Sequence, residues 1–152
     1  MLSLKLRNFA FALASLVLLT GTLLAPLPVA AQDKPQLFIN VTDEDPWKVA
    51  MAAFFGTAFA QKQGHQTTLF VNVQATPLFT KAKSAVRSEQ FGKTVHEMVR
   101  EFQAAGGKVL ICPVCMKALN ISAGDLIDGA EVASVKSVND VLFNPTTKTL
   151  AW

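Results

Sequence analysis

Short apolar runs alternate along the chain with segments in which apolar residues recur at helical spacing. The runs are continuous, which is typical of strands buried on both faces of a sheet. The two patterns predict strands at 37–41, 67–73, 109–111, 132–135 and 147–152, and helices at 46–63, 88–105, 113–119 and 137–143. Residues 74–87, which Pro77 interrupts, are predicted to form a loop with one helical turn.

Helix-boundary residues support several of these elements. Asp45 is a favourable N-cap and Pro46 follows at the first helical position, while Gly64 can supply a left-handed C-cap. Ser122 and Asp125 have the spacing of a capping box that opens a short helical turn. The alternation of strands and helices predicts an α/β fold, with one three-layer domain around a mostly parallel sheet of about five strands, doubly wound and flavodoxin-like.

Residues 1–31 have the pattern of a secretory signal peptide. Lys5 and Arg7 precede an apolar stretch at 9–24, and small residues then match a signal-peptidase site. An uncleaved anchor is the alternative, because the apolar stretch is about as long as the shortest membrane-spanning helices. Cleavage is favoured, and residues 32–152 are then one exported, periplasmic domain without a membrane segment.

Charge and cysteine content narrow the possible functions. Loss of Lys5 and Arg7 with the signal peptide lowers the formal net charge from +3 to +1, so a basic surface for nucleic acid is not expected. The remaining ~120 residues suit one domain with one core. Two cysteines are too few for a disulfide framework. They form either one structural disulfide bond or one reactive site.

Cys112 and Cys115 lie in a CPVC motif at a predicted strand-to-helix junction. With Pro113 at the first helical position, both thiols lie near free amide donors and the positive end of the helix dipole, which favour a thiolate. Residues three apart on a helix are also close enough for a disulfide, which would add little stability because the ring is small. Cys112 and Cys115 are therefore the candidate catalytic residues, and no cofactor or metal is assigned.

The predicted topology gives one reason to place Cys112 at a ligand site. In a flavodoxin-like strand order, the crevice lies between the first and third strands, outside their carboxyl ends. Cys112 ends the third predicted strand and residues 42–45 follow the first, so we expect them to face one crevice. The acids Asp43, Glu44 and Asp45 would oppose a thiolate there.

Two other interpretations of the cysteines stay open. They can be a passive pair in a non-catalytic oligomeric binding module, since buried cysteine is a common small apolar residue. Alternatively, Cys112, Cys115 and Met116 can bind a soft ion such as Cu(I). A structural zinc site needs four cysteine or histidine ligands. His65 is predicted at the opposite end of the sheet, and His96 on a helix surface or packed against the core.

Five segments are similar to those of a known family. They are LFIN in the first strand, the Ala-rich helix after Pro46, TTLFVN in the second strand, VLICPVCMKALNI around the cysteines, and GAEVASVKSVNDVLF before the last strand. In these segments the chain resembles the DsrE/DsrF-like family, which includes sulfur-relay subunits of bacterial tRNA thiolation and sulfur oxidation. The resemblance covers nearly all of residues 32–152, and the cysteine segment is its most specific part.

The resemblance implies a small α/β domain that assembles as a homo-oligomer, either a trimer or a hexamer. It implies a persulfide on Cys112, with Cys115 as the second cysteine of a CxxCM subgroup. Relay members work in the cytoplasm in heteromeric complexes, whereas this chain carries a predicted export signal. Leu119 and Asn120 stand where many members have a basic residue and glycine.

The expected function is therefore that of a periplasmic sulfur carrier or persulfide and thiol-redox protein, possessing sulfurtransferase-like chemistry at Cys112 and Cys115. Its partners would be a sulfur donor and an acceptor protein that the sequence does not identify.

Overall fold

A five-stranded, all-parallel sheet carries the fold in the computed structural model, which describes residues 34–152. The predicted signal peptide lies outside the described residues. The strands of the main sheet are β1 (Leu37–Val41), β2 (Thr67–Val71), β5 (Lys108–Ile111), β6 (Ala130–Val132) and β7 (Lys148–Ala151), and a separate antiparallel pair is formed by β3 (Arg87–Ser88) and β4 (Lys93–Thr94). The α-helices are α1 (Pro46–Phe55), α2 (Val95–Ala104), α3 (Pro113–Ala118) and α4 (Val135–Leu142).

The order of the strands across the main sheet is β6-β5-β2-β1-β7. The predicted α/β class with a parallel sheet of about five strands is thus confirmed. The prediction of a crevice between the first and third strands is wrong. The third predicted strand is β5, and β2 lies between β1 and β5. The chain steps outward from β1 to β6 and then returns to the far side of β1, so strand order reverses between β1 and β7. Cys112 and residues 42–45 do not meet at that point.

The two faces of the sheet are covered differently. On one face, alternate strand residues such as Ile39 and Ile111 join apolar side chains of α1, α2 and α3 in the main core. On the other face, Phe38 stacks on Phe70 with ring centroids 5.8 Å apart. The helix α4 lies on this second side, where its Val141 borders a hollow together with strand residues of β2 and β5. The three-layer arrangement follows from right-handed crossovers that run in opposite directions.

The first helix begins where the sequence predicts. The Asp45 carboxylate accepts a hydrogen bond from the Trp47 N–H at 2.8 Å, and Pro46 occupies the first helical position. After α1 the chain continues as a π-helical turn, Gly56–Ala60, and a short 3₁₀ segment. Gly64, in the left-handed conformation with φ of 80°, then ends the predicted helical region.

The second helix is shorter than the periodicity predicts, because it begins at Val95 instead of residue 88. Thr94 and Glu97 form a capping box: the Glu97 N–H donates to the Thr94 hydroxyl at 3.1 Å, and the Thr94 N–H donates to the Glu97 carboxylate at 2.7 Å. Phe91 contacts the core from the turn between β3 and β4, which explains why it fitted the helical pattern.

Later elements agree with the sequence with small shifts. The capping box of Ser122 and Asp125 is present, with a 2.8 Å hydrogen bond from the Ser122 N–H to the Asp125 carboxylate. The predicted loop at 74–87 is more regular than expected, since Val73–Phe79 forms a 3₁₀ helix with several buried side chains. Among the described residues, no helix has the length and hydropathy needed to cross a membrane.

Candidate functional site

Cys112 lies at the junction between β5 and α3, as the sequence predicts. Its backbone N–H donates to the Val71 carbonyl at 2.9 Å, which continues the pairing of β5 with β2 for one residue. Pro113 restricts the residue before it to extended conformations, and Cys112 has φ of −62° and ψ of 116°. Its Sγ then accepts a long hydrogen bond, 3.4 Å, from the Cys115 N–H. Cys112 therefore serves as the N-cap of α3.

Cys115 lies in the first turn of α3, and its sulfur faces the end of the neighbouring strand. The Val73 N–H, just after β2, donates to the Cys115 Sγ at 3.1 Å. Both cysteines are free thiols and both are half-buried. The pairing of β2 with β5 thus places a backbone donor against the second thiol of the motif.

Val73 has a strained backbone, with φ of 51°. Left-handed conformations are unfavourable for β-branched residues and cost on the order of 1–3 kcal/mol. Hydrogen bonds on both sides hold the segment: the Asn72 N–H donates to the Val41 carbonyl at 3.0 Å, and the Ala75 N–H donates to the Thr42 carbonyl at 3.2 Å. The conformation directs the Val73 N–H at Cys115 while its side chain stays half-exposed.

Thr76 is a second contributor from the same 3₁₀ helix. Thr76 lies three residues after Val73, in a segment that packs against α3. Its side chain is fully buried, and among residues 34–152 its hydroxyl has no hydrogen-bond partner within conventional distance and angle. The hydroxyl is also among the groups that lower the pKa of the Cys115 thiol.

Burial is the largest cause that raises the pKa of Cys115, and the hydrogen bond with Cys112 is the next. The Val73 N–H and the Thr76 hydroxyl act in the opposite direction, because they stabilise the thiolate. A thiolate on Cys112 raises the pKa of Cys115 further through Coulomb repulsion. Ionisation of Cys112 therefore makes ionisation of Cys115 less favourable.

Two of the three acids after β1 are engaged elsewhere. Asp43 forms an ion pair with Lys48, and this contact is the main cause that lowers the pKa of the Asp43 carboxyl. Asp45 caps α1. None of the three acids at 43–45 is among the groups that shift the pKa of Cys115. The electrostatic opposition expected from the sequence does not reach that thiol, since β2 separates β1 from β5.

A shallow apolar depression of about 270 Å³ opens beside Cys115. Of residues 34–152, no Asp, Glu, Lys, Arg or His lines it. Its lining residues are Val73, Gln74, Val114, Cys115, Ala118 and Leu119. Val114 is 74% exposed, so the approach to Cys115 passes over an apolar surface.

The structure places the other candidate metal ligands away from the thiols. Met116 is 5% exposed and its side chain belongs to the main core. The His65 Nδ1 is 2.7 Å from the Pro35 carbonyl, at the amino end of β2 and so at the end of the sheet opposite Cys112. The His96 Nε2 is 2.9 Å from the Leu78 carbonyl in a buried position, where burial lowers its pKa.

Within residues 34–152, no group of three or more His, Cys, Asp or Glu side chains is arranged to hold a metal ion. A soft ion at the CPVC motif would therefore find two thiols in this part of the chain, without the thioether that the sequence offered as a third ligand.

The family model described as the DsrE/DsrF-like family matches residues 43–144. The chain belongs to the DsrE/DsrF-like family. The matched region contains both cysteines and the segment that carries Val73 and Thr76. No curated protein matches the chain significantly.

Solved structures of DsrE-like proteins share the fold. The crystal structure of the ychN protein from E. coli superposes with a TM-score of 0.63 at 17% identity, covering 79% of this chain and all of that chain. MTH1491, a protein of unknown function from Methanobacterium thermoautotrophicum, superposes with a TM-score of 0.59 at 13% identity and the same coverage. At these identities the similarity shows the α/β fold and nothing about activity.

Proposed function

We propose that this DsrE/DsrF-like protein is an exported sulfur carrier, in which Cys112 holds sulfur as a persulfide and Cys115 resolves it. The observation that carries the proposal is the arrangement of the thiols in one helical turn. The Cys112 sulfur caps α3, and the Cys115 sulfur faces a strained backbone donor. Membership of a family with sulfur-relay members supports the same chemistry.

In the loading step, the Cys112 thiolate attacks a sulfane sulfur atom of a polysulfide. A new S–S bond forms at Cys112, the S–S bond of the donor breaks, and the polysulfide leaves as an anion shorter by one sulfur. No external oxidant or reductant is needed, because the sulfane sulfur is transferred with its oxidation state unchanged. The free amides in the first turn of α3 stabilise the attacking thiolate.

Two reactions can discharge the persulfide. An acceptor thiolate can attack the outer sulfur, which becomes a persulfide on the acceptor and regenerates the Cys112 thiolate. Alternatively, the Cys115 thiolate attacks the Cys112 Sγ, a Cys112–Cys115 disulfide forms, and the outer sulfur leaves as hydrosulfide. A dithiol reductant then returns the disulfide to two thiols. Resolution by Cys115 follows loading, because the hydrosulfide that leaves is the outer sulfur of the persulfide formed at Cys112.

Intact-protein mass spectrometry after incubation with polysulfide tests this assignment. The wild type is expected to gain sulfur and then pass to the disulfide. Cys115→Ser is expected to accumulate the persulfide, because it lacks the resolving thiol, and Cys112→Ser is expected to gain none. The absence of any sulfur on the wild type, or equal gains in the two variants, would contradict the proposal.

The compartment and the assembly state belong to the same proposal. A signal peptide at 1–31 predicts that the protein isolated from its own cells is periplasmic and begins at Gln32. A homo-oligomer of three or six chains is expected for the mature protein. N-terminal sequencing together with light scattering checks both, and an uncleaved or monomeric protein would contradict them.

A further inference from the structure

A buried hydroxyl next to a reactive thiol is unusual when it has no partner of its own. Buried polar groups are normally hydrogen-bonded, and an exception calls for an explanation. The Thr76 hydroxyl is such an exception, since its side chain is 0% exposed and lacks a conventional partner within the described part of the chain. Its segment packs against α3, which carries the Cys115 thiol.

The Val73 N–H approaches the same sulfur. It donates at 3.1 Å, from a backbone whose φ of 51° only surrounding contacts can maintain. The Thr76 hydroxyl lies three residues further along the same 3₁₀ helix, which packs against α3. A thiol accepts hydrogen bonds weakly, whereas a thiolate accepts them strongly. The Val73 N–H already has the sulfur as its acceptor, whereas the Thr76 hydroxyl gains a strong acceptor when Cys115 carries a negative charge.

We propose, on the basis of the proposed function, that the Val73 N–H and the Thr76 hydroxyl form a two-donor cradle for the Cys115 thiolate in the resolving step. As Cys115 loses its proton to solvent, the hydroxyl turns to the sulfur and completes the cradle. The thiolate then attacks the Cys112 Sγ, and hydrosulfide leaves. The cradle also stabilises the Cys115 thiolate that is released when hydrosulfide reopens the disulfide at Cys112, since the two directions share one transition state.

Few other groups act on the Cys115 charge. The segment Val73–Phe79 contains no ionisable side chain, and in α3 the only other one is the exposed Lys117. Among the described residues, Cys112 at the N-cap is the group whose charge raises the pKa of Cys115. Replacing Cys112 by serine keeps an N-cap acceptor and removes this charge, so the effect of Thr76 can be measured alone.

The experiment measures alkylation of Cys115 by iodoacetamide against pH in the Cys112→Ser protein, with Thr76→Val, Thr76→Ala and Thr76→Ser added in turn. Loss of a hydrogen bond to a charged group lowers the thiolate fraction at neutral pH about tenfold. Because the more basic thiolate is also more nucleophilic, the alkylation rate falls about threefold. Thr76→Val and Thr76→Ala are expected to show this fall and a profile moved to higher pH, whereas Thr76→Ser is expected to match the parent.

If the pH profile of alkylation is unchanged in both Thr76→Val and Thr76→Ala, the cradle is contradicted. It is also contradicted if Thr76→Ser does not keep the parent's profile. The same Thr76 variants with both cysteines present are then loaded with polysulfide. Unaltered loading on Cys112 with slower conversion to the disulfide is expected. Absence of loading in every protein, wild type included, would count against sulfur carriage while leaving the alkylation result on the cradle intact.

Discussion

The strained backbone at Val73 predicts that glycine is more stable than alanine at this position, which is the reverse of the usual order of stability. Val73→Ala keeps only a methyl group and Val73→Gly keeps no side chain, so the two variants differ mainly in their tolerance of a φ of 51° and in conformational entropy. A left-handed conformation costs about 1–2 kcal/mol for a residue with a Cβ, whereas glycine loses ~0.5–1 kcal/mol more conformational entropy on folding. The glycine variant is therefore expected to be more stable than the alanine variant by about 0.5–1 kcal/mol.

Val114 provides the matched control, since it is an exposed valine in the right-handed first turn of α3. There, Val114→Ala is expected to be more stable than Val114→Gly by roughly 1 kcal/mol, as in other helices. Urea unfolding of the four variants, with the midpoint compared at constant slope, gives the two differences. Alanine more stable than glycine at both positions would refute the left-handed backbone at Val73 and the donor geometry built on it.

Two further predictions concern the scaffold. Because burial lowers the pKa of His96 below its ordinary 6.5, the unfolded chain binds protons more tightly. The free energy of unfolding should fall as pH drops below about 6.5, and His96→Gln should flatten this dependence in urea titrations, whereas the wild type should keep it. Thr94→Ala, which removes the cap of α2, should cost about 1 kcal/mol in the same assay. Thr149→Ala, on exposed β7, should change stability by less than about 0.5 kcal/mol, and an equal loss at both threonines would contradict the capping box.

The elements that the sequence predicts well are those whose signals are local. LFINV, TTLFV and KVLI are continuous apolar segments, and Asp45 with Pro46 carries its own start signal. The start of α2 was predicted too early because Phe91 fits the helical period, although Thr94 and Glu97 already had capping-box spacing. The strand order was not predictable in this way, since it depends on the direction in which each crossover packs.

The candidate site likewise has one part that the sequence predicts and one part that it does not. The position of the CPVC motif at a strand-to-helix junction can be predicted from sequence, because Pro113 both ends the strand and starts the helix. Val73 and Thr76 carried no signal: left-handed valine contradicts its own preference, and a threonine among apolar residues is unremarkable in a sequence. Their proximity to Cys115 arises from the pairing of β2 with β5, about 40 residues apart in the chain.

The chemical state of the CPVC segment tests the central claim most directly. Protein purified from its own compartment is alkylated at once and digested with trypsin, which releases both cysteines in the peptide at 109–117. The proposed function predicts an alkylated persulfide on Cys112 or a Cys112–Cys115 disulfide, with added polysulfide increasing the persulfide on Cys112. Two ordinary alkylated thiols, unchanged by polysulfide, would contradict a role in sulfur carriage.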